Sequence, residues 1–191
     1  MNLEYRKDWD IMNMPVMGEK QKKEIETIKK RKITVKLSDA DCDRLARKCG
    51  KHGLTIGELI ENFVGDLVGG TYSNGSDEIM YANQWFDRCW FGTFSKPTLL
   101  NHLLKWGYMP ENYINILNNI ETAKEEKKYL NEHPEETNIT AQQIENDIAG
   151  WEEELKNMRA DWKTEEEPDM CAEIQLLKNW IKEKENLKKE R

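Results

Sequence analysis

The strongest constraint on this chain is one short segment, Lys32-Ile33-Thr34-Val35-Lys36-Leu37, in which polar and apolar residues alternate. Such alternation is typical of a β-strand with one buried face. The remainder of the chain offers no second clear strand, and a lone strand leaves its backbone donors and acceptors unsatisfied. We therefore predict that two identical chains pair this segment as an antiparallel ribbon. Pairing inside a single-chain α+β domain, with the lysines merely solvated, is the alternative.

Two helices with clear end signals follow this segment. Ser38 with Asp41 resembles an N-cap and its capping partner, and Thr55 with Glu58 predicts a capping box. Glycines after each helix can take the left-handed conformation that ends it. Both helices carry an apolar face that we expect to pack on the apolar side of the ribbon. The first face consists of Cys42, Leu45, Ala46 and Cys49, and the second of Ile56, Leu59, Ile60, Phe63, Val64, Leu67 and Val68.

Charge is distributed unevenly along the 191 residues. Residues 1–70 carry 14 basic and 12 acidic side chains, whereas residues 71–191 carry 15 basic and 24 acidic ones. Residues 29–36 hold five basic side chains and no acidic one. Because the distribution of charge matters more than its sum, the net charge of −7 does not exclude a nucleic-acid partner for the N-terminal part.

The order of strand, capped helix, glycine turn and capped apolar helix over residues 32–68 resembles the ribbon-helix-helix family of prokaryotic and phage regulators, the MetJ and Arc type. This resemblance implies an intertwined homodimer that lays its ribbon in the major groove of double-stranded DNA. Outward side chains of the ribbon would then read base edges, since lysine can donate to guanine and threonine can contact thymine. The implied base-reading residues are Lys32, Thr34 and Lys36.

The same resemblance implies phosphate contacts and a dimer core. The N-terminus of the second helix would hold a phosphate on its backbone amides, and the basic lead-in would add non-specific attraction. The implied phosphate-binding residues are Thr55, Ile56 and Gly57 with Lys29, Lys30 and Arg31. The implied dimer core consists of Ile33, Val35, Leu37, Leu45, Leu59, Ile60 and Phe63. Asp39, Asp41 and Asp43 depart from a basic DNA-binding face, although they suit the N-terminus of the first helix.

The predicted fold class is mainly α, with an N-terminal ribbon-helix-helix unit of one strand and two helices per chain followed by an acidic helical domain. We divide the chain into an N-terminal arm with a basic lead-in (1–31), the ribbon-helix-helix unit (32–70), a linker (71–76) and the acidic interaction domain (77–191). Two long helices with narrow apolar seams, over residues 140–163 and after Pro168, predict a C-terminal antiparallel hairpin.

Tryptophan and glutamate mark the acidic domain. Trp85, Trp90, Trp106, Trp151, Trp162 and Trp180 are expected to pack in its core, the alternative being a groove for a partner. The acidic runs at 152–154 and 165–167 indicate the solvated face of helices. Their alternative is a negative surface for a basic protein groove.

The sequence contains no motif for a P-loop, a zinc protease or a serine hydrolase, so no enzyme activity, cofactor or metal site is expected. Cys42 and Cys49 share a helix face and are expected to be buried, unpaired small hydrophobes. No apolar run is long enough to cross a membrane, and the N-terminus lacks the apolar region of a signal peptide. A cytoplasmic location in a bacterial host cell is therefore expected.

Two functions remain open at this point. The first is a dimeric double-stranded-DNA-binding regulator of phage or mobile-element type, whose acidic helices bind a protein partner. The second follows from a general similarity to phage-borne anti-CRISPR proteins: an inhibitor that blocks DNA binding or cleavage by a Cas9-type nuclease. In that case acidic helices would occupy the positively charged channel that normally holds nucleic acid.

Overall fold

The computed structural model of this protein describes residues 19–71, 73–91, 97–133 and 141–189. These described residues form eight helices and no strand. The helices are α1 (Glu19–Glu26), α2 (Asp39–Gly50), α3 (Ile56–Val68), α4 (Ser76–Arg88), α5 (Leu99–Lys105), α6 (Pro110–Glu132), α7 (Ala141–Met158) and α8 (Met170–Lys188). The chain divides into two compact units, unit 1 (Met1–Phe94 with Glu190–Arg191) and unit 2 (Ser95–Lys189). A mainly helical fold is thereby confirmed.

Both predicted N-caps are present in unit 1. The hydroxyl of Ser38 accepts a hydrogen bond from the Asp41 amide at 3.1 Å and donates to the Asp41 carboxylate at 2.6 Å. At the start of α3 the capping is reciprocal, because Thr55 Oγ1 accepts from the Glu58 amide at 3.1 Å while Glu58 Oε2 accepts from the Thr55 amide at 2.7 Å. These bonds satisfy amides that have no partner inside the helix.

Glycine in the left-handed conformation follows each of these helices. Gly53 has a φ of +68°, and the chain beyond it turns back so that the Leu54 amide donates to the Cys49 carbonyl at 3.1 Å. Gly69 caps α3 directly with a φ of +59°. An L-residue with a Cβ is strained at such angles, which explains why glycine stands at both positions.

The predicted strand at residues 32–37 is not seen. Residues 28–38 have no regular secondary structure, and no hydrogen bond of the described residues involves the backbone of 32–37. Ile33, Val35 and Leu37 are 60%, 67% and 51% exposed. The physical reason is that the described part of the chain offers no second strand edge, so this segment has nothing to pair with in its own molecule.

The boundary between the units lies beyond the predicted linker at 71–76. Within that stretch Asn74 is bound to Asp66 of α3, through its amide at 2.6 Å and its side chain at 2.9 Å. These bonds hold the turn closed, and α4 packs against α3. Helix α4, which the sequence placed in the acidic domain, therefore belongs to unit 1.

Helix α6 is the centre of unit 2. It packs against α7 in antiparallel fashion, as two ion pairs show: Lys124 with Glu152 at 3.1 Å and Lys127 with Glu145 at 2.5 Å. Near its start, Glu111 accepts from Lys184 of α8 at 2.6 Å. The predicted C-terminal hairpin is wrong in its pairing, because α7 and α8 pack chiefly on α6 and not on each other. Periodicity identified the apolar seams but not the helix that covers them.

The two units differ sharply in how much they bury. Unit 2 has a continuous core of twelve buried residues from α5, α6, α7 and α8: Leu99, Leu103, Tyr113, Ile116, Ile120, Ala123, Leu130, Ile144, Ile148, Leu155, Met158 and Leu177. In unit 1, the residues whose exposure is described include just three buried ones, Cys49, Gly65 and Ala82. Unit 2 thus has a core of its own, whereas the described residues of unit 1 form almost none.

The six tryptophans of residues 77–191 differ in how far they are buried. Trp151 and Trp162 pack against the core of unit 2, and the Trp162 indole donates to the Pro97 carbonyl at 2.7 Å. Trp180 is half-buried beside Lys184. The expectation that all six serve as core is wrong for the other three, since Trp85, Trp90 and Trp106 are 39%, 62% and 58% exposed.

Candidate nucleic-acid interface

The basic segment that precedes α2 is open to solvent. Lys29, Lys30, Arg31, Lys32, Thr34 and Lys36, all proposed above as DNA contacts, are exposed. The Arg31 guanidinium donates back to the carbonyl of Thr27 at 3.0 Å, which holds it close to the end of α1. The described structure therefore leaves Lys32, Thr34 and Lys36, the residues predicted to read bases, exposed to solvent.

One of the three aspartates near this segment, Asp41, has its charge paired within its own helix. The Asp41 carboxylate accepts hydrogen bonds from Ser38 and Arg44, the latter at 2.5 Å. These two bonds, with Ser38 the larger cause, hold the pKa of Asp41 below its usual range. Asp39 is exposed in the first turn of α2, where the positive end of the helix dipole favours it, and Asp43 is exposed beyond that turn. Asp39 and Asp41, which depart from a basic DNA-binding face, thus both have a local role at the N-terminus of α2.

The N-terminus of α3 supplies fewer anion-binding amides than the sequence implied. The Thr55 amide already donates to Glu58, and this bond together with the one from the Thr55 hydroxyl holds the pKa of Glu58 below its usual range. A phosphate at Thr55 would have to displace a charged carboxylate. The amides of Ile56 and Gly57 make no hydrogen bond within the described residues, so these two positions are open.

The residues proposed as dimer core are largely uncovered in the single chain. Leu45 and Leu59 are half-buried, whereas Ile60 and Phe63 are 45% and 39% exposed. On α3 the exposed apolar face continues through Ile56, Val64 and Val68, which are 41%, 41% and 70% exposed. Cys49 is buried as expected, but Cys42 on the same helix is exposed, contrary to expectation.

Sequence reasoning missed an aromatic cluster where α3 meets the end of α4. Trp85 lies edge-on to Phe63 and to Phe91, with ring-centroid distances of 5.2 Å and 5.8 Å. The ring centroids of Phe86 and Phe91 are 5.1 Å apart. Assigning α4 to the acidic domain hid this contact. The signal that could have found it is the length of the 71–76 stretch, which is short enough for an antiparallel helix pair.

Comparison with known proteins gives no relative: no protein-family model, no curated protein and no solved structure matches this chain. Among the described residues, no three acidic, histidine or cysteine side chains are grouped so that they could hold a metal ion. None of the described helices combines the length and apolar character that crossing a bilayer requires. The function must therefore be argued from the arrangement of this chain's own residues.

Proposed function

We propose that this protein is a dimeric double-stranded-DNA-binding protein, acting as a transcriptional regulator, with unit 1 as its dimerisation and DNA-binding part. The observation that carries the proposal is how little apolar surface the described residues of unit 1 bury. A folded domain must bury enough apolar surface to offset the conformational entropy that folding costs. The residues of unit 1 with described exposure leave most of their large apolar side chains uncovered in one chain, and a second copy would supply the missing surface.

The exposed apolar side chains are those that a ribbon-helix-helix dimer would bury. Ile33, Val35 and Leu37 alternate along the segment 32–37, and Ile60 and Phe63 lie on one face of α3. If two copies pair this segment, the backbone groups that have no partner in one chain gain them from the other. The apolar side of the ribbon then covers the exposed face of α3.

The polar side of the same segment supplies the DNA contacts. In a paired ribbon Lys32, Thr34 and Lys36 would project together from the face opposite the apolar side chains, because side chains alternate between the two faces of a strand. A two-stranded ribbon fits the major groove, where lysine and threonine can distinguish base edges. The open amides of Ile56 and Gly57 would contact a neighbouring phosphate.

A second candidate function is favoured by the acidic surface of unit 2. Glu154, Glu165, Glu166 and Glu167 are exposed, and within the described residues none of them forms an ion pair. Such a surface is suited to a basic protein groove, including the nucleic-acid channel of a Cas9-type nuclease. Under this function the separated unit 2, which has its own core, would inhibit such a nuclease without unit 1.

The test of the leading function begins with selection of a preferred duplex from a random-sequence DNA pool. Binding of the selected duplex, labelled with a fluorophore, is then measured by anisotropy over a salt series. We expect affinity to fall steeply with salt, because phosphate contacts release counterions. The double variant Thr34→Ala/Lys36→Ala should lose about 1–3 kcal/mol per base contact removed while remaining a dimer by light scattering.

The matched control removes an exposed lysine and an exposed threonine of unit 2 instead, in the double variant Lys163→Ala/Thr164→Ala. It should bind the selected duplex as the unaltered protein does. Equal losses in the two double variants would show that charge alone is responsible and would contradict base reading by the segment 32–37. Failure of the pool to yield any preferred duplex would contradict the regulator assignment.

A further inference from the structure

A small cavity in unit 2 joins one residue of the acidic surface, Glu154, to neutral groups that neither function above uses. It has a volume of about 290 Å³ and lies between the turn that joins α5 to α6 and the last turns of α7. The residues that line it are Gly107, Tyr108, Met109, Asn112, Glu154, Asn157 and Met158. Two thioether side chains, a phenol, two carboxamides and one carboxylate therefore surround one space.

Glu154 is the one charged residue that lines the cavity. Its neighbours in the acidic run are engaged, since Glu152 pairs with Lys124 at 3.1 Å and Glu153 pairs with Lys156 at 3.1 Å. No basic side chain of the described residues lies within ion-pair distance of the Glu154 carboxylate. The cavity thus presents an unpaired negative charge beside neutral hydrogen-bonding groups.

The backbone adds to this negative character. Asn157 and Met158 are the last two residues of α7, where the negative end of the helix dipole favours a cation. The Met158 carbonyl is already 2.9 Å from His102 Nε2, so the ring must donate to it and that carbonyl is partly satisfied. The carbonyls of Leu155, Lys156 and Asn157 also accept hydrogen bonds, from Arg159 and Ala160, so the open polar groups of the cavity are side chains.

Exposed apolar side chains line this cavity, as Tyr108 and Met109 do, or precede its lining residues in the chain, as Trp106 does. Trp106, Tyr108 and Met109 are 58%, 39% and 47% exposed. An exposed cluster of large apolar residues beside a polar cavity is typical of a site where another protein docks. Aromatic residues are also the ones that most often dominate binding energy at such sites.

We propose that this cavity binds an arginine side chain of a partner protein, with Glu154 as the residue that pairs with the guanidinium. The proposal rests on the assignment of unit 2 as a protein-interaction unit and is independent of DNA binding by unit 1. Arginine fits because its five donors can reach the carboxylate and the carboxamide oxygens of Asn112 and Asn157 together. Its alkyl stem would lie against Met109, and a phosphate would be repelled by the carboxylate.

The experiment follows the amide signals of the ¹⁵N-labelled full-length protein by NMR during titration with the peptide acetyl-Ala-Leu-Arg-Leu-Ala-amide. We expect saturable shifts of the Gly107 backbone amide and of the side-chain amides of Asn112 and Asn157. The same peptide with citrulline in place of arginine has nearly the same shape but no charge, and it should produce no saturable shifts. Glu154→Gln should weaken binding of the arginine peptide about tenfold.

The control variant Glu166→Gln makes the same change of charge at an exposed position that does not line the cavity. It should leave the dissociation constant unchanged. Equal weakening in the two variants, equal binding of the citrulline peptide, or shifts that do not saturate would each overturn the proposal. If the protein binds its selected duplex but shows no saturable shifts with the arginine peptide, only the arginine site is refuted. If the arginine peptide binds as expected but no preferred duplex is selected, only the function proposed for unit 1 is refuted.

Discussion

Replacement of Val35 by alanine is the most direct test of the dimer. Val35 is 67% exposed in the single chain, so most of its side chain is not covered by the described residues. Under the proposed function the same side chain is buried in the ribbon of the dimer. The substitution removes two methyl groups from the inner face and leaves the backbone and the charge of the segment unchanged.

The expected size of the effect follows from the exposed fraction. Burial of one methylene-sized group contributes about 0.8 kcal/mol, so two such groups contribute about 1.6 kcal/mol when fully transferred from water. Since 67% of Val35 is open to water before association, about 1.1 kcal/mol per chain is lost in the variant. A two-fold symmetric interface doubles this to about 2 kcal/mol, which raises the dissociation constant roughly 30-fold.

The measurement is sedimentation equilibrium over a concentration series. Thr34→Ala is the matched control, because the neighbouring residue lies on the opposite face of the predicted strand and its loss should leave the dissociation constant of the dimer unchanged. If the two substitutions change dimerisation equally, the segment has no inner and outer face and the period-two argument is refuted. An unaltered protein that stays monomeric at all concentrations would refute it as well.

Three further predictions concern the fold. Leu103→Ala, at a side chain with no exposed surface, should destabilise unit 2 by about 2–5 kcal/mol in denaturant unfolding, whereas Leu104→Ala, at its 44% exposed neighbour, should cost far less. The hydrogen bond from Lys184 holds the pKa of Glu111 below its usual range, so the pair stabilises the protein at pH values above the ordinary pKa of a glutamate and ceases to do so as the pH falls through the lowered value. Glu111→Gln should therefore flatten the acid limb of a plot of unfolding free energy against pH. An unchanged acid limb would contradict this linkage. Gly69→Ala places a Cβ at a φ of +59° and should lower stability by about 1–2 kcal/mol, measured as a shift in the midpoint of urea unfolding; no shift would show that the turn after α3 relaxes freely.

Local chemistry was predictable from the sequence alone. Ser38, Thr55 and Glu58 form the expected caps, and Gly69 takes the expected left-handed conformation, because each depends on residues only a few positions apart. Such signals need no knowledge of the rest of the fold. They placed the starts and ends of α2 and α3 correctly.

Long-range pairing was not predictable in the same way. The apolar seams of α7 and α8 suggested that these helices cover each other, yet a seam states only that a helix needs a partner and not which one. Helix α6 appeared from its charged second half to be a poor candidate. Its buried residues Ile116, Ile120, Ala123 and Leu130 nevertheless run along most of its length and form the centre of the unit.

The candidate sites show the same difference between local features, which the sequence predicts, and long-range contacts, which it does not. The exposed position of Lys32, Thr34 and Lys36 agrees with the sequence, but pairing of the segment needs a second molecule and stays a prediction. The cavity beside Glu154 could not be seen from the sequence, since it joins a turn near residue 108 to a helix end near residue 157. No spacing rule connects positions so far apart.

In the proposed dimer, a second copy completes the interior of unit 1, which would make the amount of DNA-binding protein depend on the chain concentration. Well below the dissociation constant the dimer grows with the square of the chain concentration, so halving the chain leaves about a quarter of the DNA-binding species. Unit 2, with an interior of its own, carries no such dependence. One polypeptide would then contain a part that responds steeply to how much of it has been made and a part that responds only in proportion.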